Sequence, residues 1–146
     1  MSARYISPRL ETATRRLVHA AGLLLAASGI AILPWDRVTE ALGRAGQTAA
    51  RDLHGAAAML ALVLIGMLLP RHVGPGWSGR VHRSSGAIML GLLGLLVATG
   101  YLLYYAGGEA TRDVTSLAHQ VAGFAAVAGY LVHRWVGSRR RRRLAP

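Results

Sequence analysis

The chain has 146 residues, of which 53% are of hydrophobic type and 16% charged, with 18 glycines, no cysteine and a formal net charge of +11. Disorder is excluded, because a disordered chain is poor in apolar residues. The missing cysteine excludes a disulfide-stapled domain, a thiolate zinc site and a cysteine-ligated iron–sulfur cluster. A basic chain of this size suggests nucleic acid only if its charges form one face of a soluble domain, so their distribution decides the matter.

In chain order, the apolar residues gather into four runs: 17–33, closed by Pro34 and Trp35; 53–69, closed by Pro70; 86–105; and 117–136. No Asp, Glu, Lys or Arg lies inside the first three, and the fourth holds only Arg134 near its end. A soluble bundle keeps a polar face on every helix, whereas these runs are apolar nearly all round. Each has the length of a membrane span, which takes about 17–25 residues. The expected fold is therefore an all-α integral membrane four-helix bundle, one domain over residues 1–146. Its spans are near 15–34, 52–70, 83–105 and 114–136, and a basic tail follows over 137–146. The first run is read as a span and not as a signal peptide, since no small-residue cleavage site leading into a soluble domain follows it.

The arginines set the orientation, because basic residues near helix ends stay on the cytoplasmic side. Arg4, Arg9, Arg15 and Arg16 precede helix 1; Arg71, Arg80 and Arg83 lie between helices 2 and 3; Arg134 and Arg139 to Arg143 end helix 4. The other two connections hold Arg37, Arg44, Arg51 and Arg112 together with five of the six acids. Both termini are thus expected in the cytoplasm. The basic excess is a topology signal, with the terminal arginine run drawn to anionic lipid and no nucleic-acid partner expected. Trp35, Trp77, Trp135, Tyr104 and Tyr105 stand where an interfacial aromatic belt is expected.

Against this apolar frame stand six histidines, four of them within spans. Ionisable groups in a span are costly and are candidates for function. Depth sorts them into two pairs: His19 and His133 near the cytoplasmic side, His54 and His119 near the outer side. On helix 4, His119 and His133 are 14 residues apart, four turns less about 40°, so they share a face with a rise of about 21 Å. Two imidazoles so spaced suit two stacked haems, each six-coordinate with bis-His ligation and suited to electron transfer. A haem is wide and needs small neighbours, for which Gly22, Gly55, Gly123 and Gly129 are candidates, each adjacent to a histidine or about one turn from one. Histidines that only hydrogen-bond between helices are the plainer alternative.

These features, LVHAAG in helix 1, DLHGAA in helix 2 and HQVAGFAAVAGYLVH in helix 4, resemble the membrane-bound di-haem cytochrome b subunits of respiratory formate dehydrogenases and nickel–iron hydrogenases, in the bacterial cytochrome b561-like class. The resemblance covers roughly residues 15–137. It implies that helix 4 supplies one ligand to each of two b-type haems, His54 pairing with His119 and His19 with His133. It further implies quinone chemistry, with menaquinone or ubiquinone as substrate, near the inner haem.

His82, Arg83 and Ser85 are the candidate quinone-site residues, since a quinone needs hydrogen bonds to its carbonyls and histidine can exchange protons near neutrality. The alternative there is a helix start with Ser84 or Ser85 as N-cap. His72 follows His54 by 18 residues, five turns, and is a second candidate for the inner haem, ranked below His19 because Pro70 should interrupt the helix.

The expected function is an electron-transfer subunit of the bacterial inner membrane, relaying electrons between the quinone pool and a periplasmic redox subunit through the short connections 35–52 and 106–116. That partner is a multihaem cytochrome, an iron–sulfur protein or a molybdenum or nickel enzyme. No catalytic nucleophile or acid pair is visible in the chain itself. A structural membrane anchor without haem and a small His-lined transporter are the alternatives from other classes. The lack of acids within the spans weighs against a divalent-cation route.

Overall fold

The structure is a computed structural model that describes residues 11–34, 36–80 and 83–143, with side chains as far as residue 139. Trp35, His82, Arg4 and Arg9 lie outside the described residues, as does the end of the basic tail. The elements are α1 (Thr12–Ile32), α2 (Asp36–Leu68), a wide turn over Leu69–Val73, α3 (Gly74–Ser78), α4 (Arg83–Tyr105) and α5 (Glu109–Arg143). Among the described residues there is no strand. Four helical stretches are long and apolar enough to cross a membrane. The chain is a multi-pass, all-helical membrane protein.

It divides into two compact units, Met1–Gly79 and Arg80–Pro146. In the first, α1 packs on α2; in the second, α4 packs on α5. Each is a helical hairpin whose buried apolar residues are mostly small, Ala21 and Ala57 with Leu64 in one and Ala122 in the other. Helices in lipid gain nothing from hiding leucine from leucine-like tails, so close approach over small side chains holds them together. The large side chains point outward instead: Leu23 is 72% exposed, Met59 67% and Val121 60%.

Proline and glycine shape the first unit. Leu33 is extended (φ −61°, ψ 147°) because the following Pro34 forbids it the helical region, and α1 ends there. α2 then begins much earlier than the sequence implies. The segment expected to be a connection, 35–52, is helical from Asp36 onward and bends at Gly43. Gly43 has φ 60° and ψ −175°, a conformation open to glycine and to almost nothing else. Past the bend, Gln47 is buried and its side-chain amide donates to the Ala31 carbonyl at 3.0 Å, tying α2 to the last turn of α1.

Pro70 was expected to stop this helix, and it does not. A proline inside an α-helix loses its own hydrogen bond and clashes with the carbonyl four residues back. The chain opens a wide turn over Leu69–Val73, the Gly74 N–H bonding five residues back to the Leu69 carbonyl. Opening the turn relieves the clash, and helix continues to Ser78 with Pro75 in its first turn, where no N–H is needed.

The second unit is plainer. α4 covers the expected third span, 83–105, and Ser85 lies within it. Only residues 106–108 separate α4 from α5, so the expected connection 106–116 shrinks to a tight reversal at Gly108 (φ 91°). α5 has 35 residues, about 52 Å of helix against about 30 Å of hydrocarbon. The basic tail through Arg143 therefore continues the helix. Arg139 lays its guanidinium 3.7 Å from the centre of the Trp135 ring, a cation–π contact suited to a membrane interface. At the other end Tyr101, Tyr104 and Tyr105 are largely exposed, with Tyr101 and Tyr105 ring centres 4.5 Å apart.

Candidate haem-ligand histidines

Of the four histidines singled out, three are engaged in one repeated arrangement. The His54 Nδ1 lies 3.0 Å from Ser28 Oγ on α1. The His119 Nδ1 lies 2.8 Å from Thr99 Oγ1 on α4. The His133 Nδ1 lies 3.0 Å from Ser85 Oγ, also on α4. In every case the hydroxyl comes from the helix packed against the histidine's own helix within the same unit. Ser28 and Thr99 are 4% and 6% exposed, among the most buried residues described, although the surrounding helices are apolar. A buried hydroxyl is costly in such surroundings unless it is bonded, and these are bonded on both sides.

The proton positions follow from the count of donors. Ser28 Oγ lies 2.6 Å from the Leu24 carbonyl, and Thr99 Oγ1 lies 2.7 Å from the Leu95 carbonyl. A carbonyl can only accept and a hydroxyl has one proton, so that proton is committed to the carbonyl four residues back. The hydroxyl oxygen must then accept from the imidazole. His54 and His119 therefore carry their proton on Nδ1 and a lone pair on Nε2.

At His54 and His119 a glycine completes the arrangement. Gly29, next to Ser28, runs so close to the His54 ring that a Cβ there would stand 3.2 Å from Cε1. Gly100, next to Thr99, would place a Cβ 3.5 Å from the His119 Cε1. The hydroxyl residue bonds the ring and the glycine after it leaves room for the ring edge.

The second unit contains this arrangement at both ends. Ser85 and Thr99 are separated by 14 residues on α4, as His119 and His133 are on α5. Two antiparallel helices in constant register thus form two cross-links, about 21 Å apart along the hairpin. Between them Met89 fills the space beside Gly129, its Sδ 3.1 Å from where a Cβ would be. That corrects one expectation: Gly129 makes room for a methionine of α4. Gly22 and Gly123 do face open space, with no described atom within 4 Å of a Cβ at either position.

The remaining candidates stand apart from these cross-links. His19 is partly buried on α1 and His72 partly buried inside the wide turn. The five-turn count from His54 to His72 assumed uninterrupted α-helix. The wide turn adds a residue to the count and rotates His72 by up to about 100° from the line it was assigned. Ser85 is no N-cap, since it lies within α4 with its hydroxyl on His133. Arg83 is exposed at the start of α4, and His82 is outside the described residues.

The donor set fits a haem: an imidazole anchored through Nδ1 is the usual axial ligand, and two are enough for one iron. Among the described residues no three or more His, Asp or Glu side chains come together as a metal-binding group. Sequence reasoning singled out the histidines but missed Ser28, Gly29, Thr99 and Gly100. A signal was present in ASG (27–29) and ATG (98–100), two hydroxyl–glycine pairs deep in apolar runs. No family model, no curated protein and no solved structure matches the chain.

Proposed function

We propose that the protein is a di-haem cytochrome b of the bacterial inner membrane, relaying electrons between the quinone pool and a periplasmic redox subunit. The observation that carries this reading is the repeated anchoring of histidine Nδ1 by a hydroxyl of the neighbouring helix at His54, His119 and His133, buried in the first two cases. Ligating histidines characteristically donate their second ring N–H to a fixed acceptor, which sets ring orientation and tautomer. A histidine that served only to join two helices could use either nitrogen and either tautomer.

The ligand assignment is the one implied by the resemblance, His54 with His119 and His19 with His133. When bound, haem would supply a one-electron ferric/ferrous couple, and these four imidazoles would hold it. The chain's own part is to hold the imidazoles in one rotamer and one tautomer and to keep apolar helices around them. The orientation with both termini in the cytoplasm places His54 and His119 toward the periplasmic partner. His82, Arg83 and Ser85 then lie on the cytoplasmic side, where quinone exchanges electrons and protons; Ser85 beside His133 supports that placement.

The test is a visible spectrum of the purified protein. Dithionite-reduced protein is expected to show the paired α and β bands of b-type haem at two haems per chain. Purified protein without those bands, from cells supplied with haem, removes this reading and leaves a structural anchor.

A further inference from the structure

We infer that Ser28, Thr99 and Ser85 are positioning residues that set the electron-donating strength of the histidines they hold. The inference rests on the haem reading above. The Ser28 and Thr99 hydroxyls do more than join two helices, because the direction of each one's hydrogen bond to the imidazole is determined. At Ser28 and Thr99 the hydroxyl proton goes to the Leu24 and Leu95 carbonyls, which leaves the oxygen only an accepting role toward the imidazole. The bonded carbonyl in turn polarises the hydroxyl and makes its oxygen a better acceptor. An imidazole whose Nδ1–H is drawn toward such an oxygen is a more basic ligand through Nε2. More basic ligands favour the ferric over the ferrous ion, so each hydroxyl lowers the potential of the couple it touches.

His54, His119 and His133 each show such a hydroxyl contact, and a control is at hand. Thr48 makes the same backbone bond, Oγ1 to the Arg44 carbonyl at 3.1 Å, but is exposed on α2. The adjoining Gly29 is part of the arrangement, since a Cβ there would stand 3.2 Å from the His54 ring and press it away from its hydroxyl, whereas at Gly100 the His119 ring would be met at an ordinary 3.5 Å. Ser85 is thereby given a role toward His133 besides the one proposed toward quinone.

The experiment is a redox titration of the purified full chain with optical detection, comparing Thr99→Val, which keeps the shape and removes the hydroxyl, with Thr99→Ser, which restores it. T99V is expected to lose roughly ten-fold in relative ferric affinity at one haem, a rise of about 59 mV for one electron. T99S is expected to stay at the wild-type potential, and Thr48→Val to change neither haem. Ser28→Ala provides the same reading from the other unit, should T99V fail to accumulate. Loss of haem from T99V with retention in T99S also supports the role. Both potentials unchanged in T99V and S28A, or equal losses in T99V and T99S, overturn it while leaving the haem reading intact. A wild-type protein without haem bands overturns both.

Discussion

The two hairpins solve one problem with different helices. In Arg80–Pro146 two uninterrupted helices keep constant register, and hydroxyls at Ser85 and Thr99 meet imidazoles at His133 and His119 at both ends. In Met1–Gly79 the cross-link with an adjoining glycine is repeated, Ser28 to His54 with Gly29 beside it, but the residue 14 positions after His54 is Leu68. The wide turn at Pro70 follows at once. The difference teaches that a same-face repeat survives only on a helix whose 3.6-residue turn is never broken. α5 presents two anchored histidines because it is unbroken; α2, bent at Gly43 and opened at Leu69–Val73, presents one before its register is lost.

The largest test of that comparison removes the imidazoles. His119→Ala is expected to reduce haem content from two per chain to one, and His133→Ala likewise but for the other haem, measured by haem extraction against protein mass. If His72→Ala lowered haem content and His19→Ala did not, the second ligand of the first hairpin would lie within the wide turn, and the register argument would fail.

Next in size is the backbone. Gly43→Ala forces a side chain into a conformation that costs about 1–3 kcal/mol, so detergent-solubilised protein should unfold at lower temperature. Gly107→Ala, with open space around it and no left-handed backbone, is expected to change little. Equal effects from the two would mean that the bend in α2 is not held as described.

The glycines beside the rings compare the hairpins directly. Gly29→Ala brings a methyl to 3.2 Å from the His54 ring and should cost about 1 kcal/mol as overpacking, with a shift in one haem's spectrum. Gly100→Ala meets the His119 ring at 3.5 Å, ordinary contact, and should cost less. A reversed order would show that the second hairpin is the tighter of the two.

Smallest is the effect of the hydroxyls on stability. A hydrogen bond between membrane helices contributes about 0.6 kcal/mol on average, so Thr99→Val should leave thermal unfolding nearly unchanged while moving the potential. A large loss of stability with no change of potential would assign Thr99 to packing alone.

Much of the fold was legible from apolar runs and arginine placement. The third span agrees with α4 at both ends, and His119 and His133 were placed on one face by spacing alone. The connections were less legible. Residues 36–52 read as a loop because charged and small polar residues interrupt them, yet helix needs only unstrained backbone, and one glycine absorbs the change of direction. Pro70 read as a stop because a proline ends an α-helix, but a wider turn removes the clash that makes it so.

The sequence by itself determined that the chain crosses a membrane and which histidines lie within the spans. Hydropathy and charge are sums over consecutive residues and need no partner. Only the tertiary structure decided what holds those histidines. Ser28 and His54 are 26 residues apart, and Ser85 and His133 are 48 apart. No local period relates such residues; they meet because two antiparallel helices pack over small side chains in one register. Packing also buries the Ser28 and Thr99 hydroxyls, and a buried hydroxyl with one proton and a carbonyl four residues back leaves the imidazole a single tautomer.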